Sequence, residues 1–431
     1  MYSEQIRAQL EEKDIEVGDT IKVNDREGRL MPKPESGDPE IIVLKLESGY
    51  NIGLEPENIE LVEKKETEDR EGREIEHEED RPDILILHTG GTIASRVSYE
   101  EGGVKPAFDP EDLLEMYPEL AEEVNMHSKV VAQMASEDME PAHWQEIAEM
   151  IDEFKDDYDG IIVGHGTDTI SYTGAALTLM LQGIDIGVLI VGAQRSSDRP
   201  STDAAMNLYC AGKFLAEEDF TGVGVCMHKN SSDDICHIIP AAKSRKNHTS
   251  RRDAFQPVNS GVYAEVDYEK DDIVKGEVEW PESGDYKLRT EINTNVGYLK
   301  TRPNMTPEEF DFLIEQDYDG VVIEGTGLGH MPVSSFDEHT EHHEEMLEKL
   351  SKLSQEAVVA ITSQCIHGRV NQTVYDKLLK VKNAGAVGSE DMHPELAYVK
   401  LMWVLANSEN PEEDFTSNFA GEVTMRSMYD E

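Results

Sequence analysis

Two short apolar runs, each followed at once by a turn rich in Gly and Thr, constrain this chain most. Ile84–Leu87 leads into Thr89-Gly90-Gly91-Thr92, and Ile161–Val163 leads into Gly164–Thr169. Runs of this kind fit buried strands, and paired glycines let the backbone turn tightly and approach a ligand. Open α/β sheets bind ligands where parallel strands end, which makes these hydroxyl-bearing turns candidate site residues. For the first turn alone, a strand-to-helix connection capped by Thr92 is the competing interpretation.

The alternation of strand and helix continues after Asp83 and predicts an α/β fold with parallel sheets. A short internal similarity indicates two domains of this kind, since Asp157–Val163 resembles Asp317–Ile323 and each segment follows an amphipathic helix. The predicted strands of the first domain are 84–88, 129–134, 160–164, 187–192 and 223–227, with helices over 141–154 and 202–215. In the second domain, strands are predicted near 296–300, 321–324 and 358–362, with helices over 306–315, 338–353 and 371–383.

The region before Asp83 differs in pattern. Several short β-segments separated by turn signals lie between Val17 and Val62, which predicts a small β-barrel. The stretch from Glu63 to Arg81 is almost entirely charged and is typical of a solvated linker. We therefore expect a small β-barrel domain over 1–65, a linker over 66–82 and two α/β domains over 83–288 and 289–431.

The composition indicates a folded protein with an acidic surface. The 431 residues include 90 Asp and Glu against 39 Lys and Arg, giving a formal net charge of -51. Salt screens the self-repulsion of such an excess, so the composition predicts a halophilic origin. An extensive direct contact of this chain with tRNA or DNA is disfavoured, because phosphate binding requires clustered Lys and Arg. Mimicry of nucleic acid is the weaker alternative, since the acids are spread along the whole chain.

The sequence predicts a soluble, cytoplasmic protein without a metal site. The N-terminus lacks the basic start and apolar core of a signal peptide, and no apolar run approaches the roughly 18 residues of a membrane span. His339, His342 and His343 lie on an acidic helix without an HExxH pattern, which favours a solvated helix face over metal binding. The four cysteines show no CxxC spacing and are expected to be reduced and mostly buried: Cys210, Cys226, Cys236 and Cys365.

From Asp83 onward the chain resembles the L-asparaginase family of amidohydrolases. The resemblance is carried by several short motifs in the family's order: Thr89–Ala94, Ser136–Met139, His165–Thr169, Gly192–Arg195, and Lys246 ahead of Phe255. With the N-terminal β-region and Arg245–Phe255, nearly the whole chain is similar to the D subunits of archaeal glutamyl-tRNA(Gln) amidotransferases. This resemblance implies a small N-terminal β-barrel followed by two asparaginase-like α/β domains.

The resemblance also implies roles for individual residues. Thr92 would be the nucleophile that forms an acyl-enzyme, while Thr167, Asp168 and Lys246 would activate a hydroxyl or water. A charged Lys246 would orient and stabilise instead of acting as a base, and a surface lysine in a basic run is the competing interpretation.

Three further residues are expected at the substrate. Ser136 and Glu137 would hold the amino-acid head group, although many asparaginases have Gln at the second position and Ser136 could instead cap a turn. Tyr99 would assist the nucleophile from a closing loop, or be an ordinary exposed tyrosine. Glu390 or Asp391 could contribute a carboxylate to a site, as a C-domain acid does in asparaginase dimers.

The function implied is the glutaminase half of a tRNA-dependent amidotransferase. The chain would hydrolyse glutamine and pass ammonia to a separate kinase, the E subunit, which would bind Glu-tRNA(Gln) and use ATP and Mg. No cofactor is expected in this chain, where no GxxxxGK[ST] motif occurs. A homodimer within a heterotetramer is implied. The alternatives are a free-standing L-asparaginase and a non-catalytic tRNA-binding or assembly protein.

Overall fold

A five-stranded antiparallel sheet with its own core forms the N-terminal part of the computed structural model. The structure describes residues 2–31, 38–46, 51–64, 78, 81–90, 95–98, 103–106, 124–195, 202–424 and 426. Helix α1 (Glu4–Glu12) begins at Ser3, whose Oγ accepts from Ile6 N at 3.3 Å. The strand order is β4-β3-β2-β1-β5. The strands are β1 (Thr20–Val23), β2 (Arg26–Leu30), β3 (Ile42–Lys45), β4 (Asn51–Leu54) and β5 (Ile59–Glu63). The predicted N-terminal β-structure is confirmed as an antiparallel sheet, while its closure into a barrel and its bounds of 1–65 stay predictions.

The second part is built on an eight-stranded sheet of order β17-β16-β13-β12-β11-β10-β6-β9. Five neighbouring strands are parallel, as predicted: β6 (Asp83–Gly90), β9 (Asn125–Met134), β10 (Gly160–Gly164), β11 (Gly187–Val191) and β12 (Gly222–His228). Three antiparallel strands that the sequence did not predict extend it: β13 (Ile235–Pro240), β16 (Ala264–Asp267) and β17 (Asp272–Lys275). Two separate ribbons accompany this sheet: β7 (Ser95–Ser98) with β8 (Gly103–Pro106), and β14 (Ser244–Lys246) with β15 (Phe255–Pro257).

Helices cover both faces of this sheet, which explains why its central strands are apolar throughout. The helices are α2 (Pro141–Phe154), α3 (Ile170–Met180) and α4 (Ala204–Glu217). Alternate residues of β6 enter different cores: Leu85 packs in the core that contains Trp144, and Ile84 in the core that contains Phe214. The strand register pairs Gly164 with His88, and Thr89 Oγ1 donates to Gly164 O at 3.0 Å. The two Gly/Thr turns therefore begin side by side at one sheet edge.

The C-terminal part is a four-stranded parallel sheet of order β18-β19-β20-β21. Its strands are β18 (Val296–Lys300), β19 (Gly320–Gly325), β20 (Val358–Ser363) and β21 (Val387–Gly388). Its helices are α5 (Glu308–Glu315), α6 (His342–Glu356), α7 (Asp376–Asn383), α8 (Pro394–Asn407) and α9 (Pro411–Thr416). The two similar segments, Asp157–Val163 and Asp317–Ile323, make equivalent hydrogen bonds. Asp159 N donates to Asp83 O at 2.9 Å, and Asp319 N donates to Asn295 O at 3.0 Å. Two α/β domains are thus present, as predicted.

All four cysteines carry free thiols, and Cys365 is the exposed one. Within the described part of the chain, no helix has both the length and the apolar character needed to cross a membrane.

Candidate active site

Lys246 joins the two residues of the second threonine motif. Its Nζ donates to Thr167 Oγ1 at 2.8 Å and to Asp168 Oδ1 at 2.7 Å. The lysine ends strand β14, whereas Thr167 and Asp168 lie 79 and 78 positions earlier, in the turn between β10 and α3. The Lys246 side chain is 14% exposed and that of Asp168 is 62% exposed. The three predicted side chains therefore meet at the ligand-binding edge of the large sheet, with Asp168 open to solvent.

Close packing against Ser136 shapes the turn that carries Thr167. Ser136 is buried; its Oγ accepts from Asp168 N at 3.2 Å, and its carbonyl accepts from Thr169 Oγ1 at 2.7 Å. A Cβ at Gly166 would lie 2.7 Å from Ser136 Cβ, so glycine is required for this approach. Ser136 thus contacts the turn itself, and the role in substrate binding expected for it remains a prediction.

His165 supports the same turn from inside and was not predicted as a functional residue. Its Nε2 lies 2.8 Å from Thr173 Oγ1, and its Nδ1 lies 2.7 Å from Gly166 O. Because the ring is fully buried, desolvation lowers the pKa of His165 to about 4. The histidine is therefore neutral at pH 7, and its bond to Gly166 O fixes the backbone directly before Thr167.

A cavity of about 340 Å³ opens beside Lys246. The side chains that line it are Asp168, Ser171, Tyr172, Lys246, Asn247, His248, Thr249 and Glu395. Glu395 comes from the C-terminal domain, so both α/β domains form the walls. Burial raises the pKa of Tyr172 to about 12, with the nearby Glu395 charge adding to the effect. Tyr172 is therefore neutral at pH 7 among lining residues that include two carboxylates and an amine.

Glu395 is held as a carboxylate at the edge of this cavity. Arg245 Nε lies 3.0 Å from its Oε1 and 3.1 Å from its Oε2. Burial raises the pKa of Glu395, but the hydrogen bond with His393 and the charges of His393 and Arg245 bring it down to about 2. Glu395 was not predicted as a site residue, because its place in the first turn of α8, directly after His393-Pro394, gave no separate signal.

Three family descriptions match the three parts of the chain. Residues 15–64 match the GatD N-terminal domain, residues 83–279 match the N-terminal asparaginase domain, and residues 295–414 match the glutaminase/asparaginase C-terminal domain. The glutamyl-tRNA(Gln) amidotransferase D subunit of Pyrococcus furiosus is 42% identical, over 96% of this chain and 96% of that protein. The chain belongs to the family of glutamyl-tRNA(Gln) amidotransferase D subunits. The corresponding protein of Methanopyrus kandleri is 40% identical, over 96% of this chain and 93% of its own.

Solved asparaginases share the fold of this D-subunit family member without its N-terminal part. The thermostable L-asparaginase from Thermococcus kodakarensis is 28% identical, with a TM-score of 0.71, and spans 80% of this chain and 100% of its own. L-asparaginase I from Vibrio cholerae is 27% identical with a TM-score of 0.67. The predicted family, the asparaginase-like fold and the function as a glutaminase subunit of this amidotransferase are confirmed. The alternative of a free-standing asparaginase does not account for the match of residues 15–64.

Two predicted site residues of this D-subunit family member lie outside the described residues, and two others lie away from the Lys246 group. Thr92 and Tyr99 lie outside the described residues, so the nucleophile stays a prediction. Glu137 is exposed beside Ser136 in a short turn of 3₁₀ helix. Glu390 does not line the cavity; its Oε2 lies 2.5 Å from Arg369 Nη1. Among the described residues, the C-domain carboxylate that lines the cavity is that of Glu395.

His342 and His343 make structural contacts at the start of α6, whereas His339 is exposed and precedes this helix, contrary to its predicted place on it. His342 Nε2 lies 3.2 Å from Met305 O, and His343 Nδ1 lies 3.2 Å from Ser334 O. Among the residues that the structure describes, no cluster of three His, Cys, Asp or Glu side chains could hold a metal ion.

The segment Lys243–Arg252 of this D-subunit family member is a basic run, and internal ion pairs account for its charges. Carboxylates within the chain bind each of its cations: Lys243 with Asp391, Arg245 with Glu395, Lys246 with Asp168, Arg251 with Asp253 and Arg252 with Asp233. The run therefore serves the fold and the site, and its charges are neutralised from within.

Proposed function

We propose that this family member hydrolyses glutamine through Thr92, with Thr167, Asp168 and Lys246 as the assisting group. Thr92 Oγ attacks the carboxamide carbon, the C–N bond breaks, and ammonia leaves as the glutamyl ester forms on Thr92. Water then attacks the ester, which releases glutamate and restores the hydroxyl. The balance is glutamine plus water to glutamate plus ammonia, with no redox step and no cofactor in this chain.

The observation that carries the proposal is the placement of Lys246 Nζ between Thr167 Oγ1 and Asp168 Oδ1, at 2.8 and 2.7 Å. Both separations are within the range for direct proton transfer or a charge-assisted hydrogen bond. Asp168 keeps the amine aimed at the threonine hydroxyl, and Thr167 relays the proton to or from the attacking group. Asp168 is also exposed enough to meet the ammonium group of a bound amino acid.

The role of the Lys246 amine can be tested with a variant that keeps charge but cannot act as a base. Lys246→Arg has a side chain that stays protonated in proteins. We expect Lys246→Arg to lose glutamine hydrolysis, because proton transfer to Thr167 requires an amine that can exchange its proton. Retained activity would show that the positive charge alone is needed.

Ammonia produced here is consumed by a separate subunit. The similar proteins are named as subunits of glutamyl-tRNA(Gln) amidotransferase, and we infer that this chain works with the E subunit, a kinase. That partner binds Glu-tRNA(Gln), activates its γ-carboxylate with ATP and Mg, and transfers ammonia to give Gln-tRNA(Gln). Binding of tRNA mainly through the partner is supported by two features of this chain. Its net charge is -51, and the cations of Lys243–Arg252 are already paired with carboxylates, which leaves few charges for phosphate groups. We propose a homodimer of this chain within a heterotetramer, located in the cytoplasm.

The decisive experiment is an amidation assay with the partner subunit in high salt, comparing glutamine, asparagine and ammonium as nitrogen donors. Thr92→Ala and Lys246→Met should abolish amidation from glutamine and leave amidation from ammonium intact. If both donors fail equally in folded variants, the role assigned to Thr92 and Lys246 is wrong. Strong ammonia release from asparagine that ignores the partner and charged tRNA would instead favour the free-standing asparaginase.

A further inference from the structure

The strand that carries Lys246 lies outside the large sheet. Strand β14 pairs with β15 in a two-stranded ribbon, and the register places Lys246 opposite Phe255. Two-stranded ribbons are at best marginally stable by themselves. The backbone of Lys246 makes a long hydrogen bond of 3.4 Å to Ser171 Oγ on α3. Phe255 is fully buried in the core that contains Trp144, so the position of the lysine depends on contacts outside the ribbon.

Further contacts come from the C-terminal domain. The segment Asp391–Glu395, which leads into α8, contacts three positions directly before Lys246. Two of these contacts are ion pairs: Lys243 Nζ to Asp391 Oδ2 at 2.9 Å, and Arg245 Nε to Glu395 Oε1 at 3.0 Å. The third is a hydrogen bond from His393 Nε2 to the carbonyl of Ala242 at 3.0 Å.

The two ion pairs differ in burial, which suggests different roles. Lys243 and Asp391 are 1% and 2% exposed, so this pair is an anchor in the interior. Arg245 and Glu395 are 22% and 17% exposed, and Glu395 shares the cavity with Lys246. The second pair thus acts on the residue next to the lysine and can be altered without leaving a fully buried charge unpaired.

We propose that Asp391–Glu395 is a clamp that positions Lys246, with Arg245 and Glu395 as positioning residues for glutamine hydrolysis. The inference rests on the role proposed for Lys246. Both bonds of Lys246 Nζ are shorter than 3 Å, and such bonds weaken steeply with distance and angle. Misplacing a catalytic group by about 1 Å can cost roughly 10²-fold in rate. The clamp therefore acts on catalysis without touching the reacting atoms.

The test uses the full chain with its partner subunit and three variants: Glu395→Gln, Arg245→Met and the double variant. We expect each single variant to lower kcat for glutamine hydrolysis by about ten- to hundredfold, with a much smaller change in KM. The double variant should be no slower than the slower single variant, because both substitutions break the same contact. Amidation from ammonium should be unchanged. Arg245→Lys, which keeps the charge and loses the two-pronged contact, should lie between wild type and Arg245→Met.

A matched control is the ion pair of Lys229 with Glu265, which is also half-buried and bidentate, at 2.7 and 2.8 Å. Glu265→Gln should leave kcat unchanged. The clamp is overturned if the folded Arg245 and Glu395 variants keep the wild-type kcat while Lys246→Met is inactive. It is also overturned if kcat falls only together with amidation from ammonium, since that pattern indicates general structural damage. An active Lys246→Met variant would instead refute the proposed function, from which the clamp follows.

Discussion

Replacing Gly192 by alanine should disable glutamine hydrolysis through a contact with Thr167. A Cβ at this position would lie 2.8 Å from Thr167 Cγ2 and 3.0 Å from both His165 O and Ile170 Cδ1. Carbon atoms pack at about 3.5 Å or more, so Thr167 would have to move by roughly 0.7 Å or more. Its Oγ1 is 2.8 Å from Lys246 Nζ, and this bond would be lost beyond about 3.5 Å. We expect kcat to fall about 10²-fold, which corresponds to roughly 2.7 kcal/mol of activation free energy.

The assay is ammonia release from glutamine, measured together with amidation from ammonium by the complex with the partner subunit. Overpacking at Gly192 also costs about 1–3 kcal/mol of stability, so the assay temperature must lie well below the melting transition. Gly261→Ala is the matched control, because a Cβ there would meet Val278 Cγ2 at an ordinary 3.4 Å. An unchanged kcat in folded Gly192→Ala would refute the claim that the Thr167–Lys246 contact is needed for catalysis.

Four further outcomes are expected. Lys400 Nζ lies 2.6 Å from Glu422 Oε1, and both side chains are fully buried. Lys400→Met should therefore lower the free energy of unfolding by about 3–5 kcal/mol in guanidinium titrations, because Glu422 loses its counterion. Adding Glu422→Gln should restore most of that stability. The pKa of His165 is about 4 in the folded protein and 6.5 in the unfolded chain, so the unfolded state binds the extra proton between these pH values. Acidification from pH 6.5 to 4 should therefore lower the free energy of unfolding by roughly 3 kcal/mol. In His165→Gln, the melting temperature should fall less steeply with acid. The melting temperature of the wild type should rise between about 0.2 and 2 M KCl, since salt screens a net charge of -51; a value independent of salt would contradict the predicted halophilic character. The sheet formed by residues 1–64 has its own core, so deleting these residues should leave glutamine hydrolysis near normal. The same deletion should impair amidation with the partner, and the two assays are run side by side.

The parallel sheets could be predicted because their residues are buried on both faces. Ile84–Leu87 and Ile161–Val163 are continuous apolar runs with Gly turns behind them, and such runs indicate central parallel strands. The antiparallel strands that extend the large sheet, β13, β16 and β17, are marked more weakly in the sequence. Strand β17 is Asp272–Lys275, an edge strand in which Val274 is 54% exposed, so no buried face marks it in the sequence. Helix α4 was predicted two residues early, a normal uncertainty at helix ends.

The site could be predicted only where its chemistry resembles a known motif. Thr167-Asp168 and Lys246 come from two separate segments, and nothing in the spacing of these segments alone requires that they meet. Glu395 and His165 were missed for a physical reason: a lone acid at the start of a helix and a lone histidine after a strand have ordinary structural roles. Their importance depends on burial and on partners such as Arg245, which only the folded chain brings to them.

The proposed clamp makes one reaction depend on both α/β domains, because Lys246 lies outside the large sheet. The first α/β domain supplies the threonine turns, whose placement follows from strand register and close glycine packing. Strand β14 has no comparable ladder within the large sheet, and three contacts from Asp391–Glu395 hold the residues before its lysine. On the proposed clamp, a displacement of Asp391–Glu395 would weaken the hold on the residues before Lys246, whereas the register of β6 with β10 would not depend on it. The clamp therefore predicts that glutamine hydrolysis is sensitive to the domain interface, so that a partner protein that altered this interface would change the supply of ammonia without contacting Thr167 or Asp168.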